Sequence, residues 1–315
     1  QDAWLEALAQ NDLALIQYVP DNAYLVWGRF AGLQRLAGQV SLRWQGNYLP
    51  PAHFFTGYDE ATFRAIAPAL TPHFYRPESD TIYAFLQSWL LEVDGLKVLF
   101  DTGAGNDKVR PGLPIFGGLQ TPFLERLAAT GFAPEDVDIV ICSHLHIDHV
   151  GWNTQLHAGR WVPTFANARY LFSAIERDYW DPQGPGVRPT AAGAFVNTNV
   201  FEDSVQPLLD AGSAELVGEG YRVSESITLR LGPGHTPGHL IMDVRSAGDS
   251  ALFVGDILHH PAQVYCPDWN SPFCEDQPQA RLTRRRVLED AAERNALPDL
   301  GNFQAARRAI TIDMP

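Results

Sequence analysis

Ser143-His144-Leu145-His146-Ile147-Asp148-His149 crowds three imidazoles and a carboxylate together directly after the apolar run Val137-Asp138-Ile139-Val140-Ile141-Cys142. The β-branched run reads as a buried strand. The polar cluster therefore falls where a strand ends and a loop begins, which is where folds build their sites. Imidazole nitrogens and carboxylate oxygens are the ligands taken by Zn²⁺ and similar borderline cations. Alternation along an extended segment sends His144 and His146 to one side together, and the turn that follows lets Asp148 and His149 swing toward a second position. Two adjacent cations are the economical reading. A polar loop of satisfied histidines is the bland alternative, and it suits a lone histidine far better than His-x-His-x-Asp-His.

That string, followed by Gly151, resembles the signature of the metallo-β-lactamase superfamily. Val150-Gly151-Trp152-Asn153-Thr154, with Phe100-Asp101-Thr102-Gly103 upstream and Gly255-Asp256 downstream, is similar to the branch that holds quorum-quenching N-acyl-homoserine lactonases and methyl parathion hydrolase. Motif order matches from about residue 80 to residue 302. The resemblance implies an α/β (α+β) fold, a four-layer αββα sandwich, with an N-terminal extension over residues 1–75 packing on a hydrolase domain over residues 76–315. It also implies one or two divalent ions, zinc foremost, that activate water.

Composition bounds the partners. With 315 residues the chain suits one α/β unit with an extension. Its 23 Lys+Arg against 37 Asp+Glu give a net charge of −14, which disfavours nucleic acid and anionic lipid and suits a small neutral or cationic substrate. No apolar run reaches the length of a membrane span. No basic n-region and apolar h-region open the chain at Gln1, although a leader removed earlier is left open. Three cysteines, Cys142, Cys266 and Cys274, fit a reducing, cytoplasmic setting and read as structural. A homodimer is compatible with the sequence.

Residues 1–75 are rich in aromatics, prolines and amphipathic pieces such as 60–70, and they carry no assignable motif. Segments 82–93 and 96–100 flank Asp94-Gly95, a hairpin signal. Gly103 and Gly105 let the backbone turn after Asp101. Asp101 itself reads equally as a strand-ending Asx-turn or, by resemblance, as a residue that orients the site without binding metal. Thr121-Pro122 before Phe123, Leu124, Leu127, Ala128 and Gly131 marks a helix. A strand over 169–172 and a helix over 174–180 precede a Pro- and Gly-rich loop over 181–190, placed over the pocket mouth. Residues 195–209 show mixed periodicity. Strands resume over 221–231, 239–244 and 251–254. A long helix over 276–296, capped by Asp276, should turn Leu282, Val287, Leu288 and Ala291 inward and leave Arg284-Arg285-Arg286 on a solvated face.

Gly232-Pro233-Gly234-His235-Thr236-Pro237-Gly238-His239 forms a rigid loop after a strand. By resemblance His235 completes the first metal site with His144 and His146, while His239 is read as structural or as support for a ligand. Asp148 and His149 hold the second ion, and Asp256 bridges the two. Lactonases carry a tyrosine three residues past that aspartate, where this chain has His259. Its N–H could hold the developing oxyanion, or the ring could be a ligand. The family's last histidine falls in Pro298-Asp299-Leu300-Gly301-Asn302-Phe303, where Asn302 stands instead. An amide oxygen is a weaker zinc ligand than imidazole, so the second site is expected to be weak, differently metallated, or completed by His259.

The expected chemistry is opening of a lactone or ester by a metal-activated water, with Asp148, Asp256 and His259 as catalytic groups. Two alternatives stand beside it. One is a phosphotriesterase or arylesterase of the methyl parathion hydrolase kind. The other is a catalytically weakened metal-binding protein. Trp152, Trp161, Phe165, Trp180 and Trp269 read equally as a wall for an acyl chain and as core.

Overall fold

Side chains alternate across a strand, so a sheet built from apolar runs has two faces to bury. The computed structural model describes residues 13–19, 23–28, 50–83, 85–246, 248–294 and 297–298, and it satisfies that demand with four layers. One five-stranded sheet has the order Ala214–Val217, Arg169–Ser173, Ile139–Ile141, Leu96–Phe100, Trp89–Val93. Its members run parallel except for the antiparallel pair at Trp89–Val93. The other has the order Tyr221–Arg222, Ile227–Leu231, Leu240–Ser246, Asp249–Phe253, Leu297–Pro298.

The inner faces of the two sheets meet in one core: Val98, Phe100, Ile139, Ile141 and Leu171 from the first pack against Ile227, Leu229, Leu240, Met242 and Phe253 from the second. The alternate residues Leu90, Leu99, Val140, Tyr170 and Phe172 point outward onto Phe123, Leu127, Val200, Val205 and Leu208 of the helical layer. On the far side Ile241, Leu252 and Val254 meet Val287 and Ala291 of the helix Gln277–Glu293. This is the αββα sandwich. A fourth cluster joins Phe55, Phe63, Leu70 and Tyr75 to Ala262, Cys266 and Trp269, so residues 50–75 lie against the segment that follows Asp256.

Three expected elements differ. Residues 82–93 are not one strand: Thr81–Ile82 pairs with Tyr75–Arg76, and the hairpin arm is Trp89–Val93. The run 221–231 is two strands, turned where Ser224 Oγ accepts the Ile227 N–H. In the long helix Leu282 is 63% exposed and Arg284 is 0% exposed. The inward stripe is Ala280, Thr283, Arg284, Val287 and Ala291. Arg284 tolerates burial because its guanidinium donates to the carbonyls of Ile257, Pro267 and Trp269 and to Asn270 Oδ1. The mixed pattern of 195–209 has its cause in a π-turn, Phe201–Val205, whose wider winding leads into the α-helix Gln206–Asp210. Among the described residues no helix is long and apolar enough to cross a membrane.

Candidate metal centre

Three segments deliver polar residues to one edge of the sandwich: the loop after Ile139–Ile141, the loop after Ile227–Leu231 and the turn Gly255–Ile257 after Asp249–Phe253. The first is fixed from beneath. Asp101 sits at φ 57, a conformation that costs a non-glycine residue and recurs at functional sites. Its carboxylate accepts the Ser143 N–H at 2.7 Å, the Ser143 hydroxyl at 2.7 Å and His149 Nδ1–H at 2.9 Å. Because Ser143 gives its only proton to Asp101, its oxygen accepts from His144 Nδ1 at 2.9 Å. With Nδ1 so engaged, His144 and His149 both turn Nε2 toward the centre of the site.

His144 Nε2 lies 3.0 Å from His146 Nδ1, and His235 Nε2 lies 3.0 and 2.9 Å from these two atoms. His235 Nδ1 faces Cys274 Sγ at 3.6 Å. All three rings are buried, and burial holds their pKa values down, that of His146 to about 3. Three neutral imidazoles therefore aim nitrogen at one point. Across from them Asp256 divides its oxygens: Oδ1 is 3.3 Å from His149 Nε2, while Oδ2 is 3.4 Å from His235 Nε2 and 3.4 Å from His259 Nε2. Asp148 Oδ2 stands 3.7 Å from His149 Nε2.

The charges agree with a cation. Burial works against a protonated His149, yet Asp256, Asp148 and Asp101 together raise its pKa well above the usual imidazole value. Its Nε2 nevertheless has no hydrogen-bond partner. Burial raises the Asp148 carboxyl, with His149 opposing and the Asp256 charge reinforcing. A pocket that holds neutral lone pairs on one side and demands positive charge on the other fits divalent cations better than protons.

The residues His144, His146, Asp148, His149, His235, Asp256 and His259 thus converge, and two of the geometric ligand groups are His144, His146, His235 and His144, His149, Asp256. Asn302 lies outside the described residues. His239 Nε2 accepts the Asp256 N–H at 3.2 Å, and its ring stacks on His144. His260 is buried, with Nε2 on the Phe74 carbonyl and Nδ1 accepting from Ala262 N–H. Trp152, Phe165, Trp180 and Trp269 are core residues, at most 7% exposed. Trp180 meets His146 edge-on at 5.0 Å, and Trp161 lies under Lys108 Nζ at 3.6 Å.

Several supports left no motif. Glu176, 0% exposed, accepts Leu145 N–H, Trp180 Nε1–H and Gly238 N–H at 3.1, 2.9 and 2.8 Å, tying the loop of His144 and His146 to that of His235. Gly238 is needed there, since a Cβ would come within 2.6 Å of Glu176 N. Glu275 accepts from Tyr179 and Thr190, anchoring the end of the 181–190 loop beside Cys274. Behind His149, Thr102 N–H donates to the His149 carbonyl, and Thr102 Oγ1 donates to Asn153 Oδ1. Deeper still, Arg110 grips Asp203 bidentately, while Lys108 Nζ donates to Thr154 Oγ1 and the Asp203 carbonyl.

A family model described as the metallo-beta-lactamase superfamily matches residues 86–297, and one for a domain of unknown function matches residues 1–49. N-acyl homoserine lactonase AiiB of Agrobacterium fabrum (strain C58) is 27% identical over 201 residues, 59% of this chain and 67% of that protein. N-acyl homoserine lactonase AiiA of Bacillus thuringiensis subsp. kurstaki is 24% identical over 179 residues, 53% of this chain and 61% of that protein. Among solved structures, the hydrolase AbOPH of the beta lactamase superfamily aligns with a TM-score of 0.66 at 21% identity, covering 85% of this chain and 91% of that one. AidC, described as a dizinc quorum-quenching lactonase in complex with a product, aligns at 0.58 and 20% identity, covering 84% and 89%.

Proposed function

Because this chain belongs to the metallo-beta-lactamase superfamily and is a metallo-hydrolase, we propose that it opens the ring of a lactone, with N-acyl homoserine lactones as the first class to test. The observation that carries this reading is the meeting of His144, His146 and His235 with Asp148 and His149 across the two oxygens of Asp256. The relatives named N-acyl homoserine lactonase support the substrate class. Residues 1–75 form an extension to a hydrolase domain of residues 76–315 in this proposal.

His144, His146 and His235 would hold one divalent cation, Asp148 and His149 a second, and Asp256 both. Imidazole and carboxylate donors favour zinc. When bound, such cations polarise a carbonyl oxygen and lower the pKa of water toward neutrality. The chain's own groups do the rest. Asp148, raised in pKa and 20% exposed at its side chain, takes a proton from the attacking water and passes it to the ring oxygen as the acyl C–O bond breaks. Asp101 and Ser143 keep the His149 and His144 lone pairs forward. The buried aromatic ring of Trp180 beside His146 helps exclude bulk water.

The test is hydrolysis of N-hexanoyl homoserine lactone, an aryl ester and an aryl phosphotriester on one preparation, with cation content measured in parallel. Turnover of the lactone ahead of the other two, abolished by chelation and restored by Zn²⁺, is the expected result. Two bound cations without lactone turnover would overturn it.

A further inference from the structure

Resting on that metal-hydrolase reading, we infer that His259 is a direct ligand of the cation on the His144, His146 and His235 side of Asp256, so that protein donors close this side and the Asp148 and His149 side is the one open to water and substrate.

Three observations carry this. First, His259 is held in place without using its ring: its backbone N–H donates to Gln263 Oε1 at 2.7 Å, and Gln263 Nε2 donates to the Trp269 carbonyl. The ring packs against Phe54 and His235. Second, its side chain is 7% exposed, yet neither nitrogen has a hydrogen-bond partner. By contrast His144, His149 and His239 each spend a nitrogen outside the ligand set, on Ser143, on Asp101 and on the Asp256 N–H. A buried neutral imidazole with neither nitrogen engaged keeps the lone pair that a cation takes.

Third, the distances have the lengths of polyhedron edges. His259 Nε2 stands 3.4 Å from Asp256 Oδ2, the same separation as His235 Nε2, and His149 Nε2 is 3.3 Å from the other oxygen. Charge-assisted N–H···O bonds are shorter, about 2.7–2.9 Å. Donors around one cation with bonds of about 2.0–2.1 Å stand roughly 2.9–3.5 Å apart. The nitrogen triangle of His144, His146 and His235, at 2.9–3.0 Å, obeys the same rule.

Asp256 Oδ2 therefore faces the imidazole nitrogens of His235 and His259, and His235 Nε2 in turn meets those of His144 and His146, whereas Oδ1 faces His149, with Asp148 beyond, among the described residues. Closed ligand sets mark structural sites, and an open position marks the catalytic one. Of the two roles the sequence left open at position 259, oxyanion donor or ligand, His259 thus takes that of ligand. Cys274 also lies within 4.8 Å of a His259 nitrogen, but its sulfur faces Nδ1 of His235, the nitrogen turned away from His144 and His146. It positions that ring instead of binding the cation.

The test loads the unmodified protein with two equivalents of Co²⁺ and counts exchangeable, hyperfine-shifted imidazole N–H resonances by proton NMR. Five are expected, from His144, His146, His149, His235 and His259, and His259→Gln removes one. In both His259→Gln and His259→Ala the dissociation constant of the tighter cation, measured by chelator competition, should rise at least about tenfold, and added imidazole should restore binding to the alanine variant. Four resonances, or unchanged cation affinity with slowed turnover, would overturn the inference and leave the hydrolase reading intact. A thiolate-to-cobalt charge-transfer band would overturn it in favour of Cys274. Failure of the unmodified protein to hold any cation would instead sink the hydrolase reading itself.

Discussion

Replacing Glu176 should separate the work of its charge from that of its shape. The carboxylate is the common acceptor of Leu145 N–H, Gly238 N–H and Trp180 Nε1–H. It thus joins the loop of two proposed ligands to the loop of a third. Glu176→Ala strands all three buried donors, and at about 1–3 kcal/mol for each donor left unpaired the loss is roughly 3–9 kcal/mol. That is on the scale of a whole folding stability of about 5–15 kcal/mol. Glu176→Gln keeps one oxygen, which can serve Leu145 and Trp180, but its amide faces the Gly238 N–H. One donor is stranded, and the loss is about 1–3 kcal/mol. Burial raises the Glu176 pKa, so its ionised form is already disfavoured and a neutral amide is the milder change. Urea unfolding followed by tryptophan fluorescence, with chelator present to remove cation linkage, reads the difference. Equal losses in the two variants, or both within about 0.5 kcal/mol of the unmodified protein, would refute the brace.

Asp101→Asn should weaken both cations, each by about 10–100-fold, since the amide no longer fixes His149 Nδ1–H and no longer takes the Ser143 hydroxyl proton that sets His144; chelator titration measures it. Gly238→Ala should destabilise by about 1–3 kcal/mol, because its Cβ would meet Glu176 N at 2.6 Å and Ser173 Oγ at 2.7 Å; thermal unfolding of both proteins checks this. Lys108 gives a pH prediction. Burial lowers its pKa to about 7 against the pull of Asp203, whereas the unfolded chain keeps that proton to the ordinary lysine value of about 10.4. Between these limits the unfolded state binds more protons, so stability should rise with pH by at most about 1.4 kcal/mol per unit. Lys108→Met should flatten that rise in urea midpoints taken at pH 7, 8 and 9, and an unchanged slope would contradict it.

The strand before the histidines, the Asp94-Gly95 turn, the helix Ala174–Trp180 and the cap at Asp276 were legible because each depends on neighbours in sequence. Periodicity misplaced Leu282 and Arg284, because helical spacing gives the stripe only to within a residue or so. The choice between neighbours was made by four acceptors waiting in the 257–270 segment. The turn at Ser224 was hidden for a related reason: a short polar break between strands of one hairpin resembles ordinary alternation.

Sequence by itself determined the donor set, since imidazole and carboxylate chemistry belongs to the residue types and their crowding after a strand needs no fold to be seen. Tertiary structure alone decided which oxygen of Asp256 faces which histidine, that Glu176 locks the Leu145 loop to the Gly238 loop, and that His259 lies with both ring nitrogens unpartnered beside His235. Those are distances between segments remote along the chain. They are fixed by how two sheets pack face to face, which no local pattern of residues encodes.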